Sequence, residues 1–174
     1  MAISKHVLNT YSPESIVVVL SNDKFQHTVQ GFVEGTFLEL TRVVPHATLY
    51  TGADATNSRV VRAVRNFEIT LTLAQTSERN DLLSQILAMD EETRGGEDIF
   101  SITIKDTSGR TVASAGQAFI GTTPDVTFSE GIEGRAWVLN AVNMSITEGG
   151  NGKFTESTAQ TLGNLGVEVD EYWR

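Results

Sequence analysis

Alternation of apolar and polar side chains is the feature that most constrains the fold of this chain. Two segments carry apolar residues at every second position: Phe67, Ile69, Leu71 and Leu73, then Phe100, Ile102 and Ile104. Successive side chains of a β-strand point to opposite faces, so each segment predicts a strand with one buried face. The sequence therefore predicts a mainly β fold.

Three further segments are typical of strands. Residues 16–20 are rich in β-branched side chains, which suits a strand covered on both faces. Residues 36–44 also predict a strand. Residues 135–147 predict one long strand with Trp137 and Leu139 on one face, and both faces are expected to be covered. The opposite face of that strand carries Ala136, Val138, Val142, Met144 and Ile146.

Turn residues separate these strands. Asn22 and Asp23 predict a hairpin turn after residues 16–20, and residues 106–109 predict another that ends on Gly109. Residues 149–152 contain Asn-Gly, which is compatible with a type I′ hairpin or with a flexible loop.

One stretch changes its period and predicts a single helix. The apolar residues that recur at helical spacing are Leu82, Leu83, Ile86, Leu87 and Met89. Thr76 or Ser77 provides a capping hydroxyl, and Glu78 lies near the positive end of the helix dipole. We expect the helix to end within residues 90–96.

The chain is predicted to form one domain over residues 1–174. Residues 1–10 are expected to be an N-terminal arm, and residues 149–174 a tail without clear periodicity. Residues 45–58 are predicted to be a polar loop between two strands. A loop of that length within a compact domain is usually functional or disordered.

Charge and cysteine content narrow the function classes. The 22 acidic and 13 basic residues give a net charge of −9, which disfavours sequence-specific binding to nucleic acid. This charge fits either simple solubility or a surface that nucleic acid passes without adsorbing. The absence of cysteine excludes disulfides and thiolate chemistry. The longest aliphatic run is residues 16–20, and no apolar segment follows the N-terminus, so we expect cytoplasmic synthesis and no membrane anchor.

No catalytic constellation is visible in the sequence. His6, His27 and His46 are scattered, and none forms a helical pair that could hold a metal. No serine lies in an activating context, and the neighbouring acids of residues 90–92 are typical of a solvated helix end. The sequence thus predicts a protein that is not an enzyme and that has no cofactor or metal site.

Arg59, Arg62 and Arg65 are the most concentrated basic residues. In a strand, positions three apart point to opposite faces, so the three cannot form one basic stripe for nucleic acid. Ion pairs with a neighbouring element or subunit and plain solvation remain equally open.

An ordered series of short motifs resembles the tail tube proteins of contractile-tailed bacteriophages. The motifs are Tyr11-Ser12-Pro13, residues 16–19, Gly31-Phe32-Val33-Glu34-Gly35, Gly52-Ala53-Asp54, Ser58-Arg59, residues 70–73, 75–77 and 80–83, Ile104-Lys105-Asp106 with Gly109, Ala118-Phe119-Ile120, Pro124-Asp125 and Trp137. One departure is Ala55, where the family usually has a glycine.

The resemblance implies a β-sandwich or partial barrel with one flanking helix. It also implies six subunits that join their sheets into a ring, rings that stack into a tube in the virion, and genomic DNA passing through the lumen without specific binding. The implied partners are the sheath, baseplate and tail terminator proteins. Alternatives are another tube-forming protein, such as a type VI secretion inner tube, a terminator or a pyocin-like tube, and a soluble β-sandwich binding module or an enzyme.

Three sets of candidate residues follow from this hypothesis. In tube proteins of this kind, the loop matching residues 45–58 reaches an adjacent ring, which assigns the contact between rings to Tyr50, Gly52, Asp54 and Asn57. Arg59, Arg62 and Arg65 are candidates for ion pairs between subunits. The polar face with Glu68, Thr70 and Thr72 lacks arginine and is the candidate for the lumen.

Overall fold

The computed structural model describes residues 8–174; His6 and most of the expected arm over residues 1–10 lie outside the described residues. The elements in chain order are β1 (Ile16–Ser21), β2 (Gln26–Val29), β3 (Leu38–Arg42), β4 (Ala47–Thr51), β5 (Asn57–Val61), β6 (Phe67–Ala74), α1 (Arg79–Thr93), β7 (Phe100–Asp106), β8 (Val112–Thr122), β9 (Gly134–Val142), β10 (Ser145–Thr147) and α2 (Glu156–Asn164). Neither α1 nor α2 is long and apolar enough to cross a membrane.

Eight of these strands form one antiparallel sheet. Its order is β2-β1-β7-β8-β9-β6-β3, and β10 pairs with β8 beyond that path. The sheet is not closed, so β2 and β3 form its two edges. The predicted mainly β fold is confirmed, with the strands joined in one large sheet.

The core lies on one face of this sheet. In β6 the predicted alternation is confirmed, because Phe67, Ile69, Leu71 and Leu73 are all buried. The helix α1 closes the core with two of its own buried residues, Leu83 and Ile86. Trp137 of β9 is buried here, and its Nε1 donates a hydrogen bond of 3.0 Å to Oδ1 of Asn80 on α1.

The prediction of one long strand over residues 135–147 is wrong. The backbone of Asn143 has a φ of 50°, which ends β9 and separates it from β10. Before this break the face with Trp137 and Leu139 is buried, whereas Ala136 on the other face is exposed. Before the break the buried residues have odd numbers. After it the even-numbered Met144 enters the core, so the parity of the buried positions changes.

Two other strand predictions need smaller corrections. In β1, Val18 and Leu20 are fully buried, but Val17 and Val19 are only half-buried, so the second face is only partly covered. The strand expected over residues 36–44 is the shorter β3.

The predicted turns and the first helix are confirmed. Asn22 Oδ1 accepts hydrogen bonds from the backbone N–H groups of Lys24 and Phe25 in the β1–β2 turn. In the β7–β8 turn, Asp106 Oδ1 accepts from the backbone N–H of Ser108 at 2.8 Å. The helix α1 begins at Arg79, whose backbone N–H donates a hydrogen bond of 3.3 Å to the Ser77 hydroxyl, and it ends within residues 90–96. The N-cap position itself is Glu78, not Thr76 or Ser77.

Two segments expected to be irregular are structured instead. Residues 45–58 are not a loop, because β4 and β5 pair as an antiparallel hairpin. The tail over residues 149–174 contains α2, a second helix that the sequence did not predict. No strand follows residues 149–152, so the hairpin alternative for that segment is wrong.

Candidate assembly surfaces

The tip of the β4–β5 hairpin is held by its own polar groups. Oδ1 of Asp54 accepts hydrogen bonds from the hydroxyl of Thr56 at 2.7 Å and from its backbone N–H at 3.2 Å. These bonds hold the pKa of Asp54 below its ordinary value. Ala55 has a φ of 64°, a left-handed conformation that costs alanine about 1 kcal/mol more than glycine. A glycine at this position would adopt it freely.

The shaft of the hairpin exposes apolar side chains. All five residues of β5 and four of the five in β4 are exposed. Leu49 is 75% exposed and Tyr50 is 61% exposed, and they lie on opposite faces of the hairpin. A two-stranded hairpin is marginal on its own in water, and clustered exposed apolar residues mark interaction sites. The candidate residues Tyr50, Gly52, Asp54 and Asn57 therefore lie together on an exposed hairpin with an apolar shaft and a polar tip.

The arginines of the hairpin are also exposed. Arg59 lies in β5, Arg62 directly follows it, and Arg65 lies where the chain enters β6. Within residues 8–174 none of the three forms an ion pair; the two pairs there are Lys24 with Asp98 and Arg79 with Glu78. Pairing inside the subunit therefore does not account for these arginines.

The candidate lumen residues share the outer face of β6, opposite the core. Glu68 is exposed, and Thr70 and Thr72 are half-buried. In the register of the sheet, Glu39 of β3 lies opposite Thr70 and adds a second acid to this strip. The structure thus brings these three residues together on a polar, acidic face.

The β8–β9 loop, residues 123–133, is an exposed surface that the sequence reasoning missed. Phe128 is 83% exposed, and Val126 and Ile132 are also exposed. Arg135 supports the loop, because its Nη1 donates a hydrogen bond of 3.0 Å to the carbonyl of Thr127. Its guanidinium carbon lies 5.2 Å from the centre of the Phe128 ring. In the sequence, only the apolar residues of this loop could have indicated an exposed surface here.

The C-terminal segment is attached to the β7–β8 turn by aromatic stacking, which the sequence did not reveal. The guanidinium carbon of Arg110 lies 4.1 Å from the ring centre of Phe154 and 4.3 Å from that of Trp173. The backbone N–H of Phe154 also donates to the carbonyl of Trp173 at 2.7 Å. Such cation–π contacts hold the segment to the body of the protein.

Residues 8–174 contain no group of three or more His, Cys, Asp or Glu side chains placed to hold a metal. The most buried acid, Asp98, accepts a hydrogen bond of 2.7 Å from Lys24 Nζ, and this bond raises the pKa of Lys24. The pair joins the β1–β2 turn to the segment after α1. Its role is structural.

A known protein is similar over nearly the whole chain. The chain is 36% identical to "Structural protein ORF10" of Pseudomonas phage KPP10 over 167 residues, which cover 95% of this chain and 96% of that protein. The chain belongs to this family of phage structural proteins. No family model matches it.

Solved structures share the fold. A chain of the anti-feeding prophage cap, described as a tube terminating cap, aligns with a TM-score of 0.52 at 16% identity over 84% of this chain and 99% of that one. A chain of the sheath-tube complex of the extracellular contractile injection system PVC aligns with a TM-score of 0.52 at 14% identity over 83% and 93%. The family and the fold thus confirm the resemblance that the sequence motifs indicate.

Proposed function

We propose that this chain is the tail tube subunit of a contractile phage tail and has no enzymatic role. The observation that carries the proposal is its membership of a phage structural family together with a fold shared with chains of tube assemblies. In this proposal the protein is made in the cytoplasm of the host bacterium and functions in the virion.

An open sheet supports the ring. In the described part of the chain, β2 and β3 each lack a strand partner on their outer side, and such edges aggregate unless another strand pairs with them. Six copies that join their sheets would pair these edges and close a ring. Stacked rings form the tube, with the sheath outside and the baseplate and terminator at its ends.

The charge of the chain supports passive conduction of DNA. Six copies at −9 each carry 6 × −9 = −54 per ring. The strip with Glu68, Thr70 and Thr72 is the proposed lumen face. A lumen of the same sign as the phosphate backbone lets DNA move without adsorbing.

Electron microscopy and sedimentation of the purified chain test the assembly. We expect hexameric rings or stacked tubes. A monomer at every concentration and salt tested, with no rings in micrographs, contradicts the proposal. Fluorescence anisotropy with duplex DNA tests the conduit, and micromolar binding that weakens with salt would disprove it.

A tail terminator is the second candidate. The chain matches the tube terminating cap and the sheath-tube complex with the same TM-score, 0.52. A terminator forms single rings that do not stack, whereas a tube subunit forms long polymers. The lengths of the particles in the same micrographs therefore separate the two functions.

A further inference from the structure

Arg135 is a buried charge without a counter-ion in the described part of the chain. It is only 7% exposed, and within residues 8–174 its guanidinium forms no ion pair. The carbonyl of Thr127 accepts its one hydrogen bond to those residues. Buried charges in proteins are normally paired, because the loss of hydration is otherwise uncompensated. The site therefore favours an anionic partner.

Arg135 lines an open pocket beneath the β8–β9 loop. The pocket has a volume of about 310 Å³. Its lining combines one cation, neutral polar groups and an apolar wall: Arg135, Gln75, Asn80, Ser84, Trp137 and Val126. Such a lining suits a carboxylate carried on a small, partly apolar segment.

The tip of the β4–β5 hairpin provides a carboxylate of that kind. Oδ1 of Asp54 is engaged by Thr56, whereas Oδ2 accepts no hydrogen bond from residues 8–174. An aspartate is ionised at neutral pH, and the hydrogen bonds from Thr56 lower the pKa of Asp54 further. Ala53 and Ala55 beside it are small, so they add little volume to a segment that enters the pocket with Asp54.

The charges around the two sites are also complementary. The hairpin carries a negative tip above a shaft with Arg59 and Arg62. The pocket contains the positive Arg135, and the loop beside it carries the exposed acids Asp125 and Glu130. Both surfaces expose apolar side chains that an interface would bury.

The two sites lie at opposite ends of the same strand. Phe67 at the start of β6 pairs with Arg42, where the hairpin leaves the sheet, and Ala74 at its end pairs with Gly134, where the β8–β9 loop returns. The seven steps between them span about 23 Å at roughly 3.3 Å per residue. No residue of the hairpin lines the pocket of its own chain.

We propose that the pocket beneath the β8–β9 loop receives the hairpin tip of a second copy of this chain, with Asp54 paired to Arg135 and the hairpin arginines paired to the acids of the loop. The contact is head-to-tail, because different surfaces of the two copies meet. This inference rests on the proposed tube function and names the surface that receives the hairpin.

Disulfide trapping tests the contact directly, since the chain has no cysteine of its own. Full-length Ala53→Cys and Val126→Cys chains are mixed under mild oxidation, and covalent dimers are measured on non-reducing gels. Leu165→Cys replaces Val126→Cys as the control, because Leu165 is similarly exposed on the C-terminal segment. We expect at least tenfold more heterodimer with Val126→Cys, and a clear loss of it when Asp54→Asn is added to the Ala53→Cys chain. Equal trapping by the two partners overturns the inference.

Charge reversal with rescue provides a second test in polymerisation assays. Arg59→Glu with Arg62→Glu, or Asp125→Arg with Glu130→Arg, should each raise the concentration needed for polymerisation at least tenfold. Combining all four changes in one chain should restore most of the assembly. Glu168→Arg with Glu171→Arg is the control matched to the loop variant. It makes the same charge change as Asp125→Arg with Glu130→Arg, but on the C-terminal segment, and should have little effect. Reversals that do not impair assembly, or a combination that does not restore it, overturn the pairing.

The two proposals fail differently. Tubes without the trapped heterodimer refute the hairpin contact and leave the tube function standing. The heterodimer without rings or tubes supports the contact and refutes the tube function. If neither the heterodimer nor rings or tubes form, both proposals are refuted.

Discussion

The consecutive strands β5 and β6 differ in what surrounds them. Every second residue of β6 is buried, whereas every residue of β5 is exposed. The strand β6 is specified by its hydrophobic face, while the hairpin is specified by backbone pairing and by the polar bonds of its tip. The difference indicates that β6 provides stability and that the hairpin leaves its side chains free for contacts outside the subunit.

Leu71 of β6 and Leu49 of β4 give the sharpest test of this comparison. Leu71 is fully buried and Leu49 is 75% exposed. We expect Leu71→Ala to lower the free energy of unfolding by about 2–5 kcal/mol, through lost burial and the cavity left behind. Leu49→Ala should change it by less than about 0.5 kcal/mol yet weaken polymerisation. Urea denaturation followed by circular dichroism measures the free energy of unfolding of both variants. Equal losses of stability would invalidate the distinction between β6 and the hairpin.

Replacing the outer hairpin tests whether that segment contributes to folding. A short Gly-Ser linker in place of residues 50–57 should leave the β-rich circular dichroism spectrum intact and move the thermal midpoint by less than about 4 °C, which corresponds to about 1 kcal/mol in a chain of this size. Long tubes should disappear. Normal polymerisation would show that the hairpin does not join rings, and a failure to fold would place it in the core.

The sequence predicts the core strands well because one buried face imposes a period on them. The same argument finds α1, where helical spacing and the hydroxyl of Ser77 agree. It fails for the hairpin, since a strand without a buried face has no alternation to detect. It also fails at Asn143, because both faces of the surrounding segment are apolar and the change of parity leaves no trace in the pattern.

The candidate site was predictable only in part. The motif series pointed to the tip residues Gly52 and Asp54, whereas the spacing of the arginines only argued against a basic stripe and left ion pairing and solvation equally open. The pocket around Arg135 depends on how the β8–β9 loop folds over a distant strand, so no local pattern encodes it. Helix α2 was missed because its half-buried residues are only Ala159 and Leu162.

Two residues with a left-handed backbone conformation, Asn143 and Ala55, allow a finer comparison of the core sheet and the hairpin. Asn143 directs Met144 into the core, whereas Ala55 shapes only the exposed tip. Asn143→Val should lower the free energy of unfolding by about 1–2 kcal/mol, because a β-branched side chain disfavours this conformation. Ala55→Val should leave global unfolding nearly unchanged. Asn143→Gly is the control and should be close to neutral, so a large loss there would show that the side chain of Asn143 matters more than its backbone.

Acid titration should give the smallest difference. For Asp106, burial acts to raise the pKa, but hydrogen bonds from Ser108 and Ser15 outweigh it and the pKa is lowered from 3.8; the pKa of Asp54 is also lowered. A lowered pKa stabilises the folded state above pH 3.8, and this stabilisation is lost as the pH falls through the folded value. Asp106→Asn should therefore flatten the decline in stability below about pH 4. Asp54→Asn should flatten it less, because the hydrogen bonds of Asp54 lie at an exposed tip where solvent screens them, and thermal melts across this range compare the two variants.

The placement of the hairpin and the pocket at opposite ends of β6 has a consequence for growth. A filament built on that contact presents free hairpins at one terminus and free pockets at the other, so the two termini are chemically distinct. A factor that nucleates the filament must match one of these surfaces, and a factor that stops elongation must match the other. Direction would then be encoded in each monomer before any filament exists.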